Sequence, residues 1–149
     1  MLLAILIIAH VGGGALMGAL FPPNPWLGQL VLPSFYPPDW SFPVVWPILY
    51  VLMAVALWLV VKSRSGPRKT AISLHVIQMV VNYAFMPLFF GLQNTLLGMV
   101  DVVVLLVLLL ITVACFYKVR KIAALLMAPY VMWVSFACVL SFSLWWMNA

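Results

Sequence analysis

The sequence predicts an all-α polytopic membrane protein, a bundle of five transmembrane helices forming a single membrane domain over residues 1–149. Three observations carry that expectation. Five separate runs are each long and apolar enough to cross a bilayer, which takes roughly 20 mostly apolar residues. The chain is 68% hydrophobic and only 6% charged, with a mean hydropathy of +1.25. No globular domain of that composition would stay in water. Finally, the seven basic residues fall into two short clusters at the ends of apolar runs, where Lys and Arg act as topology signals. The formal net charge of +5 therefore does not point to nucleic acid. At 16.6 kDa one bundle occupies nearly the whole chain, so any site must be built between helices.

The first helix is expected over 2–21, ended by Pro22 and Pro23. It lacks a basic start and a small-x-small cleavage site, which favours a retained helix over a signal peptide. Gly14 and Gly18 give it a GxxxG face for close helix contact. The connection 22–40 is rich in proline yet carries Trp26, Phe35, Tyr36 and Trp40. Proline stiffens this chain and suppresses helix, while the aromatic rings prefer the headgroup region. The loop should fold back over the mouth of the bundle as a lid. A second helix follows over 41–61, with Pro43 tolerated in its first turn. The third spans 70–91 with Pro87 near its far end, the fourth 95–117, and the fifth 122–147.

Lys62, Arg64, Arg68 and Lys69 separate helices two and three; Lys118, Arg120 and Lys121 separate helices four and five. These two connections fall on one side of a five-helix bundle, and the positive-inside rule makes that side cytoplasmic. The amino terminus is then inside, with the aromatic loop and the carboxyl terminus outside. Helical bundles belong in a bacterial inner membrane by default, since outer-membrane spans are β-barrels.

Polar groups inside spans are costly, so each asks for a partner or a task. They are few: His10, His75, Gln78, Asn82 and Asp101. Asp101 must face the bundle interior or water, as an interhelical hydrogen-bonding contact or as a ligand or proton site. Gln78 and Asn82 share one helix face, continued by Phe85, Met86 and Phe89. Trp46, Leu49, Tyr50 and Met53 form a matching stripe on helix two, and Tyr130, Trp133 and Ala137 another on helix five. Lipid gives Trp and Tyr no hydrophobic reason to turn inward, so these stripes suggest an aromatic pocket with a few polar tips. Such a pocket suits a large, flat, mostly apolar ligand.

Other chemistries find little support. His10 and His75 read as lying at different depths, and no His, Cys or carboxylate spacing marks a metal site. Cys115 and Cys138 sit apart in apolar runs as small core residues. Ser135, Ser141 and Ser143 have no base beside them and suit back-bonding to the helix. No charged ring or filter-like loop marks a channel.

The order of motifs resembles the TspO/MBR family, the tryptophan-rich sensory proteins and translocator proteins. The resemblance covers nearly the whole chain. It rests on Pro37-Pro38-Asp39-Trp40 leading to Val45-Trp46 and Leu49-Tyr50, and on Gln78 and Asn82 leading to Pro87-Leu88-Phe89-Phe90-Gly91. Val100-Asp101 and Pro129-Tyr130, leading to Trp133, Phe136-Ala137 and Asn148, complete it. It implies a dimer of five-helix bundles, each with a pocket for protoporphyrin IX or haem beneath the first loop, and no required cofactor. By carry-over Trp26 and Trp40 belong to the lid, while Trp46, Tyr50, Asn82, Phe85, Phe89, Trp133 and Ala137 line the pocket. Tyr130, Asp101 and Phe142 complete the expected ligand-binding set. The chain also departs from the pattern. Phe85 and Phe142 stand where family members carry Trp, and Leu32 precedes Pro33 where a Lys is common. Phe142 and Trp146 replace the Tyr and basic residue of the animal sterol-recognition segment, so sterol binding is not implied.

The expected function is tetrapyrrole binding in sensing, regulation or transport. Two contrasting readings are light-dependent porphyrin degradation through Trp radicals, and a ligand-independent membrane interaction protein that dimerises through glycine-bearing helices.

Overall fold

The computed structural model describes residues 1–149, and its regular structure is entirely helical. The helices are α1 (Leu2–Leu20), α2 (Ser41–Lys62), α3 (Arg68–Met86), α4 (Thr95–Val119), α5 (Lys121–Leu126) and α6 (Ala128–Met147). A π-helical turn, Pro87–Gly91, continues α3, and α5 with α6 makes one span. Five segments are thus long and apolar enough to cross a membrane. α1 packs on α2, α2 on α5, α6 on α4 and α4 on α3, and α3 returns to α1 to close the ring.

Two of the expected helices are interrupted, both at prolines. Pro129 has no N–H to give to the carbonyl four residues back. The fifth span therefore breaks at Met127, whose own N–H turns to the Ala124 carbonyl at 3.1 Å. At Pro87 the winding loosens, and the Leu92 N–H reaches back five residues to the Pro87 carbonyl at 2.9 Å. The third span starts at Arg68, two residues before the expected boundary, because Arg and Lys are good helix formers immediately after Pro67. The fourth runs on to Val119 for the same reason. Asn94 starts α4, its side-chain oxygen accepting from the Leu97 N–H at 2.9 Å.

Both basic clusters lie at one end of the bundle. Ser65 Oγ donates to the Val119 carbonyl at 3.4 Å, joining the two connections. Arg68 Nη1 donates to the carbonyls of Val61 and Ser63 at 3.3 and 3.2 Å, satisfying the exposed end of α2. Gly66 holds φ +69°, and a Cβ there would stand 2.7 Å from the Lys118 carbonyl oxygen. Both its backbone angle and this close approach demand glycine.

The tightly packed core occupies the half of the bundle nearest this end. Ala54, Ala56, Ala71 and Ala123 let the helices approach closely around Met53, Val60, Leu109, Phe116 and Met127. Lipid is as apolar as these side chains, so close packing and interhelical hydrogen bonds hold the spans together. The opposite half is more open.

Candidate functional site

A cavity of about 670 Å³ occupies that opposite half, inside the range of roughly 300–1,000 Å³ usual for small-molecule sites. All five spans border it. α2 supplies Phe42, Pro43, Trp46, Pro47 and Tyr50; α3 and its π turn supply Asn82, Tyr83, Phe85, Met86, Phe89 and Phe90. α6 contributes Trp133, Phe136, Ala137, Leu140, Ser141 and Leu144, α4 contributes Val102 and Leu105, and α1 contributes Gly14, Ala15 and Gly18 among others. The loop 22–40 adds Pro23, Leu27, Tyr36 and Asp39. No Lys or Arg side chain borders the cavity, and Asp39 is its one acidic group.

The aromatic walls are organised. Phe85 and Phe89 stack at 5.2 Å with 10° between their planes, one helical turn apart. Trp46 lies 5.4 Å from Tyr50, and Phe42 meets Trp133 edge-on at 6.0 Å. Such offset and edge contacts fix ring positions as well as filling space.

The loop is tied down over this space at several points. Asn24 Nδ2 donates to the Phe90 carbonyl at 3.2 Å. The Val31 N–H donates to Asn148 Oδ1 at 2.8 Å, and Asn148 Nδ2 returns a bond to the Val31 carbonyl at 3.1 Å. Phe35 packs edge-on to Phe136. Burial raises the Tyr36 phenol above its ordinary value, and the neighbouring Asp39 adds to the shift.

The expected site residues divide. Trp46, Tyr50, Asn82, Phe85, Phe89, Trp133 and Ala137 converge on the cavity. Trp26 backs it from the loop, edge-on to Phe89 at 5.3 Å. Tyr130 is fully buried and lies outside the cavity lining. Asp101 is also off the lining, and its Oδ2 makes no hydrogen bond, so the expected interhelical bond is not formed there. Trp40 is 68% exposed and Phe142 51% exposed, and neither borders the cavity. Phe142 lies five residues beyond Ala137, about 140° around the helix, and stacks on Trp146 instead.

The sequence reading passed over several contributors. Tyr83 follows Asn82 directly and falls off the Gln78–Asn82–Phe89 stripe, yet it lines the cavity. Its hydroxyl donates to the His10 carbonyl at 3.0 Å. Pro47, inside α2, borders the cavity beside Trp46. The glycines of α1 face these rings: a Cβ on Gly14 would collide with the Tyr50 ring, and one on Gly13 with Tyr83. Gly18 meets nothing within 4 Å and opens onto the cavity, so the two glycines of the GxxxG pattern face different surroundings.

The expected separation of His10 and His75 in depth is overturned. Their Nε2 atoms are 2.8 Å apart. α1 and α3 run in the same direction, and each His sits about 10–12 Å from the basic-end start of its helix at 1.5 Å per residue. The pair ends a column of hydrogen bonds. Tyr50 Oη donates to Asn82 Oδ1 at 2.9 Å, and Asn82 Nδ2 donates to Tyr130 Oη at 2.9 Å. Tyr130 Oη then donates to Gln78 Oε1 at 3.1 Å, and Gln78 Nε2 approaches His75 Nδ1 at 3.5 Å. No group of three or more His, Cys, Asp or Glu stands close enough to hold a metal ion.

The model of the TspO/MBR family matches residues 4–147. The chain is 39% identical over 136 residues to the tryptophan-rich protein TspO of Chlorobaculum tepidum, covering 88% of this chain and 86% of that one. It is 35% identical over 149 residues to protein CrtK of Rhodobacter capsulatus, covering 99% and 92%. The translocator protein of Sus scrofa is 32% identical over 123 residues, with 80% and 73% covered.

Proposed function

The chain belongs to the TspO/MBR family, and we propose that its aromatic cavity binds a tetrapyrrole, protoporphyrin IX or haem, in the service of sensing, regulation or transport. One observation carries this reading: a cavity of about 670 Å³ walled on several sides by Trp46, Phe85, Phe89, Trp133 and Phe136. Stacking and edge contacts with such rings favour a broad, flat, apolar ligand. With no cation in the lining, the propionates of a porphyrin must reach water at the mouth. No His or Cys borders the cavity, so binding rests on ring contacts and phenol and amide groups, and iron is not needed for it.

By the positive-inside rule the basic end faces the cytoplasm and the loop-covered cavity faces outward, in a bacterial inner membrane.

The test is a Soret-band titration of the purified protein in detergent, in the dark and then under illumination, with the Trp46→Phe variant alongside. A saturable spectral shift in both proteins, with the porphyrin intact after illumination, supports a binding role. Light-dependent loss of the Soret band in the native protein but not in Trp46→Phe would replace it with the degradative reading. No saturable shift in either removes the tetrapyrrole.

A further inference from the structure

Given the ligand-binding role proposed above, we infer that the buried His10–His75 pair fixes the hydrogen-bonding polarity of the cavity floor, holding Tyr50 as an acceptor. A flat aromatic ligand bearing an N–H donor is then selected over an isostere that lacks one.

The polarity begins at a group that cannot turn round. His10 Nδ1 lies 2.7 Å from the Leu6 carbonyl oxygen, which can only accept, so Nδ1 carries the proton. The two rings are 6% and 1% exposed and bond to no carboxylate. An imidazolium there would be an uncompensated charge inside the membrane, so each ring holds a single proton. His10 Nε2 is therefore bare and accepts from His75 Nε2–H at 2.8 Å. That leaves His75 Nδ1 bare, facing the Gln78 amide nitrogen at 3.5 Å.

Each further link inherits this direction. With its nitrogen towards His75, Gln78 offers Oε1 to the Tyr130 hydroxyl, which in turn accepts from Asn82 Nδ2. Asn82 then presents Oδ1 to the Tyr50 hydroxyl. Turning either amide over would set lone pair against lone pair or donor against donor within buried surroundings, which is costly. The Tyr50 proton is thus committed inward, and only its oxygen lone pairs remain for the cavity. Tyr83, with its ring centroid 6.0 Å from that of Tyr50, gives its proton to the His10 carbonyl. Neither phenol therefore donates into the cavity, and the Tyr50 oxygen is the acceptor that the column sets.

Carbazole and dibenzofuran test this, being flat tricyclic isosteres that differ by N–H against ring oxygen. Their affinities for the detergent-solubilised protein are measured by isothermal titration calorimetry, with empty micelles as blank. Carbazole should bind about tenfold more tightly, the size of one net hydrogen bond. His75→Phe preserves the ring stacked on Phe116 but frees Gln78 to turn, so the preference should fall within about twofold. Gln78→Leu cuts the column at its centre and should do the same, as should Tyr50→Phe. A His75 that only packs would weaken both probes alike and leave their ratio unchanged, overturning the inference. Equal affinities in the native protein also overturn it, while leaving the cavity a ligand site. If neither probe binds saturably, the inference falls, while tetrapyrrole binding is decided separately by the Soret titration.

Discussion

Replacing Tyr130 by Phe removes one oxygen from the centre of the bundle and leaves its volume almost unchanged. That oxygen receives a bond from Asn82 Nδ2 and gives one to Gln78 Oε1. Interhelical hydrogen bonds in membrane proteins are worth about 0.6 kcal/mol each on average, so the two set a floor of about 1.2 kcal/mol. Gln78 is fully buried, and leaving its carbonyl oxygen without a donor adds about 1–2 kcal/mol more. Asn82 borders the cavity and can turn to water there, so its loss adds little. The expected destabilisation is about 2–3 kcal/mol. Tyr50→Phe breaks a single bond at the wet end of the same column and should cost about 1 kcal/mol or less. Equilibrium unfolding in mixed micelles, followed by Trp fluorescence, measures both. A Tyr130→Phe variant within about 0.5 kcal/mol of the native protein, or one less affected than Tyr50→Phe, would refute the buried column as a stabilising element.

Three further outcomes are expected. Asn148→Ala removes two bonds to Val31 and one to the Leu144 carbonyl; these are largely exposed, so the loop tether should weaken by about 1 kcal/mol. Hydrogen–deuterium exchange over 22–40 would then rise about fivefold while exchange in α4 stays unchanged. Asp39→Asn removes the one acidic group of the lining and should tighten protoporphyrin IX about two- to fivefold by relieving repulsion of its propionates; the dimethyl ester, titrated in parallel, should not respond. Ala137→Phe narrows the cavity opposite the α2 aromatics and should weaken porphyrin binding at least about tenfold, with a stability cost below about 1–3 kcal/mol because it grows into open space. Soret titration and unfolding of the same preparation separate the two effects.

Much of the site was legible because aromatic residues recur at helical spacing. Trp46 with Tyr50, Asn82 with Phe85 and Phe89, and Trp133 with Ala137 each mark a face by steps of three or four, and each face turns inward. Carry-over from the family resemblance placed two further aromatic residues in the ligand-binding set, Trp40 and Phe142, and both turn outward. The spacing logic failed where an inward residue sits at the edge of a stripe, as Tyr83 does. The His10–His75 contact was hidden for another reason. It depends on two helices running in the same direction with matched starts, and a three-residue error in a boundary shifts depth by about 4–5 Å. Pro129 shows the limit of hydropathy alone, since an unbroken apolar run says nothing of a missing backbone donor. Basic clusters, by contrast, located the helix ends well, because charge cannot sit inside the span.

Whether the cavity takes a tetrapyrrole is read out by quenching of intrinsic Trp fluorescence by protoporphyrin IX in the dark. Trp46 and Trp133 border the cavity and Trp26 backs it, so a bound porphyrin lies within contact range of three of the seven tryptophans. A tetrapyrrole in the cavity should give saturable quenching at low micromolar porphyrin with one site per chain, lost in Ala137→Phe. Quenching that rises linearly without saturation, or that persists unchanged in Ala137→Phe, would contradict binding there.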